Sequence, residues 1–131
     1  MKYVIDKFSD LEIIKVTVWG TLNQDMRKEI YPKVISELNA NGYHRLLLDV
    51  IGSKISENHA TRTINIFDEV DSLKKTETKN HIQFAVLSRD RKDDCKHFVK
   101  LAQTIGRLNI MHFRNYDEAI TWLLGGKNIF A

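Results

Sequence analysis

The stretch Asn109-Ile110-Met111-His112-Phe113-Arg114-Asn115-Tyr116-Asp117-Glu118-Ala119-Ile120-Thr121-Trp122-Leu123-Leu124 decides the fold. It reads as a short strand, Ile110 to Phe113, then a tight turn and a helix opened by Asn115. An asparagine side-chain oxygen suits the free N–H groups of a first helical turn, and Asp117 and Glu118 suit its positive end. Ala119, Ile120, Trp122, Leu123 and Leu124 supply an apolar side. Such an ending closes an α/β sheet and docks a last helix on it.

Working back, the same alternation recurs. Tyr3 to Phe8 and Leu11 to Trp19 are rich in β-branched and aromatic residues, and Ser9-Asp10 between them suits a hairpin turn. Ile14, Val16 and Val18 form one face of the second run, and Gly20 is expected to end it. Thr21 or Asn23 can cap a helix to about Asn39, with Met26, Ile30, Val34, Ile35 and Leu38 at helical spacing. Pro32 is expected to kink or divide that helix, and Asn41-Gly42 to stop it.

Tyr43 to Ile51 holds the apolar run Leu46-Leu47-Leu48-Asp49-Val50, the pattern of a parallel strand covered on both faces. Gly52-Ser53-Lys54 is expected to form the loop after it, and Ser56 to cap a second helix along Ala60, Ile64, Phe67 and Val70. His81 to Leu87 reads as a strand, and about Lys92 to Ile105 as a third helix ended by Gly106. The sum is an α/β chain with a mostly parallel sheet, an antiparallel N-terminal hairpin and about four helices. With 131 residues, 43% apolar content and no internal repeat, residues 1–131 form one domain, its ordered core about 3–125.

This order resembles the STAS / SpoIIAA-like superfamily, and more narrowly the small bacterial STAS-like proteins of unassigned function. The carriers are the strand ending in Gly20-Thr21-Leu22, the Leu46–Asp49 strand and the Ala119–Trp122–Leu123 helix. The resemblance implies a non-enzymatic regulatory module that binds a protein partner. It also implies a serine at the start of the second helix that a partner kinase phosphorylates. Members of that kind carry an Asp-Ser-Ser-Gly-type stretch there. This chain instead reads Asp49-Val50-Ile51-Gly52-Ser53-Lys54-Ile55-Ser56-Glu57-Asn58-His59. Ser53 and Ser56 are the candidate acceptors, with Asp49, Gly52, Lys54, Glu57 and His59 as the surrounding surface. The alternative implied by the resemblance is a carrier of an apolar small molecule or lipid, with a Sec14-like pocket lined by the second and third helices.

Each candidate also has an ordinary role. Ser56 suits an N-cap and Ser53 a turn. Asp49, His59 and a serine imitate a hydrolase triad, but the Gly-x-Ser-x-Gly elbow is missing. Lys92, Lys96 and Lys100 recur every four residues, a stripe able to meet an anionic partner. Asp90, Asp93 and Asp94 dilute it, and no aromatics interleave with it. With a net charge of only +3, nucleic-acid binding is not expected. The five histidines and Cys95 lack zinc-site spacing, so no metal and no cofactor are expected. Trp19 and Trp122 read as residues that pack in the core or at its rim.

No apolar run approaches the roughly 20 residues of a membrane span. The start lacks the apolar run of a signal peptide, and a lone cysteine suits a reducing compartment, so the expectation is a cytoplasmic protein. The apolar first hairpin at a sheet edge makes a homodimer plausible.

Overall fold

The computed structural model describes residues 2–22, 24–55, 82–89, 99–100, 103 and 109–125. Five strands form one sheet in the order β1-β2-β3-β4-β5: Tyr3–Phe8, Ile13–Leu22, Arg45–Ile55, Gln83–Leu87 and Ile110–Phe113. β1 runs antiparallel to β2, and β2 through β5 are mutually parallel. Among the described residues there are two helices rather than four: α1, Gln24–Asn41, and α2, Tyr116–Gly125. The expected second helix lies outside the described residues. Of the third, Val99, Lys100 and Gln103 are described and helical, and Val99 is buried in the core.

Strand alternation divides the core in two. Ile14, Val16 and Val18 of β2 meet Leu46, Leu48 and Val50 of β3 on the face covered by α1, whose Ile30, Val34 and Leu38 pack down on them. On the other face Ile13, Leu47, Ala85 and Leu87 receive Ala119 and Leu123 of α2. Burying each large aliphatic side chain contributes about 1.5–3 kcal/mol.

The helix ends follow from local chemistry. The Asn115 side-chain oxygen accepts N–H bonds from Asp117 (2.8 Å) and Glu118 (3.2 Å), so it caps α2 as its sequence suggests. At the end of α1, Gly42 takes a φ of +67°, a region that costs other residues. There Tyr43 N–H bonds Leu38 O (3.0 Å) and Gly42 N–H bonds Asn39 O (3.3 Å), a Schellman close.

Four boundaries differ from the sequence reading. The hairpin turn takes in Leu11 and Glu12 as well as Ser9 and Asp10, and Glu12 adopts a φ of +55°. Pro32 does not divide α1, which runs through to Asn41. Proline cannot donate to the carbonyl four residues back, but Pro32 and that residue, Lys28, both lie on the exposed side of the helix, where a lost bond costs least.

The other two corrections concern the strand ends. Gly20 does not end β2, and Gly52-Ser53-Lys54 is strand rather than loop. β2 continues to Leu22 and β3 to Ile55 because each is the other's partner: Gly20 pairs Ser53, Thr21 pairs Lys54, and Leu22 pairs Ile55. Gly20 follows this path at a φ of +79°.

Candidate functional site

The C-terminal ends of parallel strands are where open α/β sheets present their ligand and partner surfaces. Here that end is built from β2 and β3, which meet at an irregularity. Thr17 pairs Asp49, but Trp19 pairs Gly52, so β3 carries one residue more than β2 over this interval.

Two side chains of β3 serve backbone groups at this bulge. The Asp49 carboxylate accepts the Ile51 N–H (3.1 Å), and the Ser53 hydroxyl donates to Val18 O (2.9 Å). Asp49 and Ser53 are both half-buried. The sequence singled out Ser53 as a candidate phospho-acceptor or partner contact and Asp49 as part of the surrounding surface, and the structure gives each a local bonding role. A serine whose proton is committed to a carbonyl is not donating it to a base, so this geometry is not that of an activated nucleophile.

The bulge also exposes apolar surface. Trp19 is 43% exposed and Ile51 37% exposed. Trp19 was expected to pack in the core or at its rim, and its exposure rules out the core. It lies on the same face of β2 as Ile13, but at the opposite end of the strand from the Ile13–Leu123 cluster that α2 covers. Gly52, directly beside it, leaves its flank open: a Cβ at Gly52 would stand 3.5 Å from the Trp19 Cβ. Val4, 43% exposed, pairs Thr17, two residues before Trp19, and extends this surface onto β1. Trp122 packs as expected, its ring centroid 5.6 Å from that of Phe113.

Of the other candidates, Gly52 is exposed and Lys54 belongs to β3. Ser56, Glu57 and His59 lie outside the described residues, as do Lys92 and Lys96, while Lys100 is exposed. Among the described residues no group of acidic, histidine and cysteine side chains is placed to hold a metal, and no helix is long and apolar enough to cross a membrane.

The pocket expected between the second and third helices also falls outside the described residues. A different concavity is present between β1 and α1. It is an open groove of about 500 Å³ bordered by Ile5, Ile14, Pro32, Lys33 and Ser36. Lys33 donates to the Tyr3 hydroxyl (2.7 Å), lies 5.5 Å from the Tyr3 ring centroid and pairs Glu29 at 3.5 Å. The bond to Tyr3, with the nearby Glu29 charge, holds the Lys33 ammonium above its ordinary pKa of 10.5.

No family model and no curated protein matches this sequence. Solved structures do match its fold. One is an uncharacterized protein of the DUF3478 family with a SpoIIAA-like fold from Shewanella loihica PV-4. It is 16% identical, with a TM-score of 0.59 over 92% of this chain and 91% of that one. Another is an anti-sigma factor antagonist from Mycobacterium paratuberculosis, 12% identical, with a TM-score of 0.58 over 92% of each chain. The chain has a SpoIIAA-like, or STAS-like, fold.

Proposed function

We propose that this chain is a non-enzymatic regulatory module of the bacterial cytoplasm, a single domain that docks on a protein partner through the C-terminal ends of β2 and β3. The observation that carries this reading is the exposure of Trp19 and Ile51 on either side of Gly52. Large aromatic side chains, tryptophan above all, are the usual anchors of protein interfaces once a partner desolvates them. The fold shared with an anti-sigma factor antagonist supports a protein partner. The Ser53 hydroxyl, donating its proton to Val18 O, is not arranged as an activated nucleophile, which fits a module without catalysis at that residue.

Phosphorylation of Ser53 or Ser56 would regulate this surface. A partner kinase would transfer the terminal phosphoryl group of a nucleoside triphosphate to the serine Oγ, releasing the diphosphate and the hydroxyl proton. At Ser53 the product has no proton to give Val18 O and sets a dianion against that carbonyl. Modification there therefore competes directly with the pairing of β2 and β3.

The test is mass spectrometry of the protein isolated gently from its own host, first native and then denatured. A bound protein in the native spectrum, with a phosphoryl group on the peptide holding Ser53 and Ser56, is the expected result. A bare, unmodified mass contradicts the reading, and a lipid-sized adduct lost on denaturation replaces it with a carrier.

A further inference from the structure

We infer that the Ser53 hydroxyl is a latch, closing a two-stranded tongue that β2 and β3 form beyond the bulge. The tongue is visible in the pairing. β4 accompanies β3 only as far as Asp49, opposite Leu87. β1 accompanies β2 only to Val18, with one further bond from Trp19 N–H to Lys2 O (3.0 Å). Past that point, among the described residues, the two strands have only each other: Trp19 with Gly52, Gly20 with Ser53, Thr21 with Lys54, and Leu22 with Ile55.

Such a ladder is weak for two reasons. Two strands alone are marginally stable in water. Cross-strand side-chain contacts are what normally stabilise a pair, and here each of the first two rungs contains a glycine. Gly20, Thr21 and Gly52 are all exposed, so these three residues add little burial to the ladder.

The bond from Ser53 Oγ to Val18 O spans the junction. Ser53 belongs to the tongue, and Val18, 1% exposed, belongs to the core under α1. One side-chain hydrogen bond at that position therefore ties the two-stranded pairing to the buried core of the sheet. Loss of one such bond shifts a local opening equilibrium by roughly two- to tenfold. Because Trp19 and Gly52 form the first rung, opening also separates the residues of the proposed docking surface. That consequence rests on the proposed function, and the latch itself does not.

Amide hydrogen exchange on the wild type, Ser53→Ala and Ser53→Thr decides the matter. Ser53→Ala removes the donor, and Ser53→Thr keeps it on a side chain that suits a strand. Exchange at residues 19–22 and 52–55 is expected to quicken roughly two- to tenfold in Ser53→Ala. It should stay near wild type in Ser53→Thr, with residues 46–48 unchanged in both. Equal protection of the tongue in wild type and Ser53→Ala overturns the latch, as does quickening spread evenly over the sheet. Partner binding by Trp19→Ser is read separately, so failure of the docking surface and failure of the latch are told apart.

Discussion

Asn115 does in the structure what its place in the sequence suggests: its one side-chain oxygen accepts two N–H groups of the first turn of α2. Asn115→Ala is expected to cost about 1 kcal/mol in chemical denaturation, with the fold retained. Lys33 makes a second residue-scale prediction, about pH. Its folded-state pKa lies above the ordinary 10.5, so the protonated form is favoured by folding. That stabilisation is fully present below the unfolded-state pKa and is lost as pH rises through the folded-state value. Lys33→Met should leave the shape of the stability profile unchanged from pH 5 to 9 and flatten its decline above 10.5, measured by denaturation across pH. Ser53 and Asp49 were singled out by the sequence, but their roles were not legible in it. A bulge exists only between two strands, and nothing in either segment alone reports the extra residue of β3. Whether Trp19 packs in the core or at its rim was not legible for the same reason: it shares a face of β2 with Ile13, but at the end away from α2.

Among the elements, α1 and β3 show local signals overridden by tertiary contacts. Pro32 marks a break in any isolated helix, yet Ile30, Val34 and Leu38 on one continuous stripe hold α1 against the sheet. Gly52-Ser53 reads as a turn, yet pairing with Trp19 and Gly20 keeps it extended. Gly52→Ala tests whether glycine is required there. Its Cβ would make an ordinary contact with Trp19, so the denaturation midpoint should hold or rise slightly, and a loss beyond about 1 kcal/mol would show that the bulge needs glycine itself. α2 was legible because its cap and its apolar side lie within one short stretch. It packs through Leu123, 1% exposed among Ile13, Leu47 and Leu87. Leu123→Ala should cost about 2–5 kcal/mol in the same denaturation experiment.

For the molecule as a whole, alternation of strands and helices was enough to give a mostly parallel sheet with an antiparallel N-terminal strand. The two-faced core follows from which residues alternate: Leu47 faces α2, while Leu46 and Leu48 face α1. What the sequence does not encode locally is which end of the sheet α2 covers. α2 returns toward the start of β4, where Gln83 Nε2 donates to Trp122 O (2.8 Å), so its last turn lies at the end of the sheet opposite Trp19. The exposed Leu124 is at that far end, and the exposed Trp19 and Ile51 are at the C-terminal ends of β2 and β3. This separation permits a direct test of docking by the proposed surface. A photoreactive phenylalanine analogue is placed singly at positions 19, 51 and 124, and the protein is irradiated in its own host. The account predicts covalent adducts with one protein species from positions 19 and 51 and none from position 124. Adducts from position 124 alone, or from none of the three, would contradict it.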